Sequence, residues 1–95
     1  MNTTDRALVN ELVDRWLESS ALADELRERV ADLASHLFPR HRDQADRIAR
    51  GAVEVVERAV ERHRGLGPKR VAQRVRGALL RYLLEAGIEL ALQRS

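Results

Sequence analysis

From Val9 onward, apolar residues recur at alternating steps of three and four: Leu12, Trp16, Ala23, Leu26, Val30, Leu33 and Leu37, with Ser19 the single polar position in the series. This is a heptad seam four repeats long, the spacing that keeps one face of a helix turned toward a neighbour. Leu8, Val13, Leu17, Leu22 and Ala34 widen the seam, which predicts contact with more than one neighbouring helix. Thr3 or Thr4 is placed to cap the start, with Asp5 favourable in the first turn. Two readings of residues 4–38 stay open. The unbroken register suits one continuous helix, whereas Ser20 followed by Asp24 and Glu25 is also a helix start, giving two helices bent at Ser19–Ser20.

Pro39 and the basic run Arg40, His41, Arg42 interrupt the pattern. A helix is predicted from near Asp43 to about Arg64, its apolar face carried by Ala45, Ile48, Ala49, Ala52, Val53, Val55, Val56, Ala59 and Val60. Opposite that face Arg50, Glu54, Arg58 and Glu61 alternate in sign at spacings of three and four, as a solvated helix surface does. Gly65, Leu66, Gly67 and Pro68 then predict a tight helical turn, Gly65 in the left-handed position after one helix and Pro68 at the first position of the next. The last helix presents Val71, Ala72, Val75, Ala78, Leu79, Tyr82, Leu83 and Ala86 on one side and is expected to end near Gly87. Ile88, Leu90, Ala91 and Leu92 add a further apolar turn or two, a sticky end. The fold predicted is all-α: three or four antiparallel helices with short connections in one bundle spanning residues 1–95, an acidic helix or helix pair over 4–38 followed by a basic hairpin over 41–93.

Composition agrees with that reading. Of 95 residues, 44% are hydrophobic but only 3% aromatic, so the core is built from Leu, Val, Ala and Ile, which suits helices better than a sheet. Absence of Cys removes disulfides, thiolate metal sites and cysteine nucleophiles. The longest run without Asp, Glu, Lys or Arg is Leu33 to Pro39, seven residues, against roughly 20 for a spanning helix, so no membrane span is expected. Asp5 and Arg6 within the first ten residues leave no apolar signal region, and a cytoplasmic protein is expected.

Charge divides the chain. Residues 1–38 hold four bases against eight acids, a balance of −4, and residues 39–95 hold thirteen against seven, a balance of +6. The acidic part can pack on the basic part, or the basic part can meet a polyanion. Apolar contact is expected to dominate, because exposed ion pairs contribute roughly 0–1 kcal/mol each and a buried Leu about 1.5–3.

Catalytic patterns are not found. His36, His41 and His63 share no metal spacing, and no helix carries an HExxH or ExxH pair. Glu54 with Glu57, and Asp43 with Asp46, stand three apart but are explained as solvated helix charges. The chain is therefore expected to be neither an enzyme nor a holder of metal or cofactor.

The segment from Arg62 to Arg81 has seven bases, Arg62, Arg64, Lys69, Arg70, Arg74, Arg76 and Arg81, and no acid. Lys69 and Arg70 occupy a first helical turn, where acids are normally favoured, and an anion would relieve the conflict. The Gly65-Leu66-Gly67-Pro68-Lys69 stretch resembles the hairpin of helix-hairpin-helix DNA-binding motifs, although Val71 stands where that family usually has Ala. The resemblance implies phosphate-backbone binding by Arg64, Gly65, Gly67, Lys69, Arg70, Arg74 and Arg76. Residues 52–90, with AVEVVERAVER, GLGPKRVAQRV and LLRYLLEAGIEL, are similar to the soluble helical hairpin of LLH-type phage holins, which end in a comparable Gly-Ile helix stop. That resemblance implies a phage-related origin and not holin activity, since the membrane span of those proteins has no counterpart here.

The function expected from the sequence is non-enzymatic self-association, with Val9, Leu12, Trp16, Leu26, Val30, Leu33 and Leu37 as the interface between copies and a protein partner as the further possibility. Nucleic-acid binding by the basic hairpin is the alternative.

Overall fold

A computed structural model of the chain describes residues 3–18 and 23–93. Four helices follow one another, α1 (Thr3–Glu18), α2 (Ala23–Leu37), α3 (Ala45–Arg62) and α4 (Pro68–Gln93), with a 3₁₀ segment at Pro39–Gln44 between α2 and α3. No strand occurs among the described residues. The fold is an all-α bundle measuring 43 × 23 × 21 Å.

Of the two readings of residues 4–38, the two-helix one is correct. A continuous helix would separate Asp5 from His36 by about 46 Å at 1.5 Å per residue. Instead the His36 imidazole Nε2 lies 3.7 Å from the Asp5 carboxylate, so α2 runs back along α1. Ser19 and Ser20 themselves fall outside the described residues. Each helix packs on the next in sequence, and α4 also packs against α1, closing a ring of four.

The reversal decides where the heptad seam goes. Val9, Leu12, Val13 and Trp16 from α1 and Leu26, Val30, Leu33 and Ala34 from α2 are buried in one core with Ile48, Ala52 and Val56 of α3 and Val75, Leu79, Leu83 and Leu90 of α4. The small Ala45, Ala49 and Ala52 on the inner face of α3 let its neighbours approach closely. Asn10 Oδ1 and Trp16 Nε1 of α1 are buried with no hydrogen-bond partner among the described residues.

Helix ends depart from expectation at several points. The threonines expected as caps lie within the first turn of α1, which begins at Thr3. Pro39 opens the 3₁₀ segment, and His41 leaves helical geometry (φ −128°, ψ 38°) before α3 begins at Ala45. No described glycine has a positive φ, so Gly65 is not a left-handed cap. The chain leaves α3 through successive tight bonds, the His63 amide to Ala59 O at 3.1 Å, Arg64 to Glu61 O at 3.4 Å and Leu66 to His63 O at 3.0 Å, which satisfy terminal carbonyls without a left-handed residue. Pro68 does begin α4, and Gly67 O accepts the Val71 amide at 3.0 Å. Gly87 does not end α4, which continues to Gln93. A Cβ at Gly87 would lie 3.1 Å from Phe38 Cε1, so the missing side chain admits that ring against the helix. The Gly-Ile stop on which the holin resemblance partly rests is thus absent. On α3, Arg50 pairs back to Asp46 at 3.0 Å rather than forward to Glu54.

Candidate interaction surfaces

The residues expected to join two copies are spent inside one chain. Val9 and Val30 have no exposed surface, Leu12, Trp16, Leu26 and Leu33 are buried, and Leu37 packs against the same core. A straight helix would keep the whole seam on one face; with α2 folded back on α1, both halves turn inward. What remains open between α1 and α2 is a groove of two cavities of about 380 and 400 Å³ that share Leu12 and Arg29 in their walls, with Leu8 half-exposed at one end.

An uncovered apolar surface lies on α4. Leu84, Ile88 and Leu92 are 47%, 62% and 70% exposed, and their spacing of four puts them along one side of the helix. Leu79, Leu83 and Leu90 face the core from the other side. Of the apolar run seen near the end of the sequence, Leu90 is core, whereas Ile88 and Leu92 face outward. Leu84, which joins them to make a stripe, was not singled out; its spacing of four from Ile88 was the available signal.

The basic turn is a second surface. Arg62, Arg64, Lys69, Arg70, Arg74 and Arg81 are all exposed and form no ion pair among the described residues. Arg76 stands apart from them: its guanidinium donates to Asp14 Oδ1 on α1 through Nε, at 3.0 Å, and through Nη2. A groove of about 640 Å³ runs along α4 from the turn, walled by Arg70, Arg74, Arg81 and His63 over a floor that includes Gly77 and Ala78. Gly65, Gly67 and Lys69 surround a neighbouring hollow at the turn itself. No acid lines either one.

At the opposite end of the α3–α4 pair the Tyr82 hydroxyl donates to Ile48 O at 3.0 Å. Burial pushes its pKa above the ordinary value, partly opposed by the Arg47 charge and reinforced by Glu89 and Glu54. The acid pairs Glu54/Glu57 and Asp43/Asp46 are exposed. Among the described residues no group of three or more His, Cys, Asp or Glu side chains is placed to hold a metal ion, and no helix is long and apolar enough to cross a membrane.

No protein-family model, curated protein or solved structure matches the chain.

Proposed function

We propose that this chain acts by binding rather than catalysis, as a helical assembly module that self-associates through the outer side of α4. The observation that carries the reading is the stripe Leu84, Ile88 and Leu92, three large apolar side chains about half-exposed or more and aligned on one helix. Covering the stripe on two copies contributes on the order of 5–10 kcal/mol. Association itself costs about 4–15 kcal/mol, so the complex is expected to be weak and to depend on concentration. Light scattering over a dilution series tests this. A mass rising from 10.8 kDa toward twice that value supports it, and a strict monomer at tens of micromolar refutes it.

One observation favours a second reading, binding of a nucleic-acid backbone: the unpaired cations that wall the α4 groove. Charge of this kind binds phosphate without sequence preference and with strong salt dependence. A mobility shift at low salt that is lost on combining Lys69→Glu with Arg70→Glu supports this reading, and its absence at low salt removes it.

A further inference from the structure

We infer that a second copy of this chain lies antiparallel on α4, its Leu84–Leu92 half seated in the basic groove of the first copy and the reverse holding by symmetry. The pairing rests on the self-association proposed above and names its geometry.

Three features of α4 lead to it. The groove and the apolar stripe lie on the same side of the helix: at 100° per residue Arg70, Arg74 and Arg81 fall near one line, with Leu84, Ile88 and Leu92 within about 60° of it. The helix is also polar in charge along its length. From Lys69 to Arg81 it carries Lys69, Arg70, Arg74, Arg76 and Arg81 and no acid, and from Tyr82 to Gln93 it carries Glu85 and Glu89 and no base. Each half has the sign that its own helix dipole disfavours, positive at the amino end and negative at the carboxyl end. An antiparallel copy brings Glu85 and Glu89 to the arginines of its neighbour and corrects both ends at once, whereas a parallel copy sets like charges side by side.

Shape follows charge. The groove floor at Gly77 and Ala78 is shallow, and nothing lies within 4 Å of a Cβ built on Gly77. Bulky side chains occupy the other half. A two-fold axis between Leu80 and Arg81 sets Leu84 opposite Gly77 and Ile88 opposite Gln73, a large residue facing a small or flexible one in each case.

The chain has no cysteine, so engineered thiols report the geometry directly. Ile88→Cys mixed with Gln73→Cys is expected to give a disulfide-linked dimer on mild oxidation, while neither variant crosslinks to itself, because in this register its own two thiols sit about 20 Å apart along the helices. Combining Arg70→Glu with Arg74→Glu should weaken the wild-type dimer at least about tenfold, and mixing that variant with one carrying Glu85→Arg and Glu89→Arg should restore pairing. Crosslinking of Ile88→Cys to itself, or a dimer that does not crosslink when Ile88→Cys and Gln73→Cys are mixed, overturns the antiparallel geometry while leaving self-association standing. A chain that stays monomeric by light scattering, with or without a DNA mobility shift, overturns both.

Discussion

Asp14 on α1 accepts two hydrogen bonds from Arg76 on α4, a pair 62 residues apart in sequence that ties the acidic half of the chain to the basic half. Both side chains keep more than a third of their surface exposed, which places the pair among those contributing roughly 0–1 kcal/mol. On the same helix Leu79 has no exposed surface, and its removal leaves a cavity as well as lost burial. Asp14→Ala is accordingly expected to lower stability by no more than about 1 kcal/mol and Leu79→Ala by about 2–5 kcal/mol. Denaturant unfolding followed by the single Trp compares them. A larger loss from Asp14→Ala would mean that charge, not packing, joins the halves.

The α3–α4 contact depends on an absent side chain. A Cβ at Gly51 would overlap the Tyr82 hydroxyl oxygen and lie 2.8 Å from its Cζ. Helix propensity alone favours Ala over Gly by about 1 kcal/mol, yet Gly51→Ala is expected to destabilise by on the order of 1–3 kcal/mol because the ring must move and its bond to Ile48 O is strained. Combining Gly51→Ala with Tyr82→Leu should recover part of the loss. A stabilising Gly51→Ala would contradict this close approach.

Tyr82 also gives the fold an alkaline limit. Burial, the largest influence, holds the phenol in its neutral form and raises its pKa above the ordinary 10.0. Folding therefore favours the protonated group: its contribution is complete below pH 10.0 and is lost as pH rises through the folded value. The chain has one tyrosine, so phenolate absorbance of the native protein titrates this group alone. A midpoint above 10.0 is expected, and one at or below 10.0 would contradict it.

Much of the bundle was legible as spacing, and what was not can be traced to particular residues. Pro68 at the start of α4 and the inward positions of α3 follow from local rules. The seam from Val9 to Leu37 was also read correctly as apolar, but a heptad does not say whether its partner belongs to the same chain. That is settled by α2 running back along α1, a tertiary event that leaves the register unbroken. Gly87 misled for a related reason. Glycine ends many helices, and only the approach of Phe38, 49 positions earlier, explains one inside α4. The basic cluster was visible as composition, whereas the pairing of Arg76 with Asp14 required the α1–α4 packing.

Core and surface apolar residues are expected to separate cleanly on mutation. Leu26→Asp or Leu33→Asp places an unpartnered charge in the buried core and should cost more than about 3 kcal/mol, a large share of the stability of a domain this size. Ile88→Asp changes a side chain that is 62% exposed and should leave the monomer folded, with the helical circular dichroism of the wild type. Loss of helix in Ile88→Asp, or a folded Leu26→Asp, would reverse the roles given to the two sets.

Concentration dependence of thermal unfolding tests most directly whether copies meet through α4, because any partner that binds only the folded state raises the midpoint by mass action. Self-association through the α4 stripe requires the wild-type midpoint, followed by circular dichroism, to climb as protein concentration is raised, and the Ile88→Asp midpoint to stay constant over the same range. A wild-type midpoint independent of concentration, or an equal climb in Ile88→Asp, would contradict it.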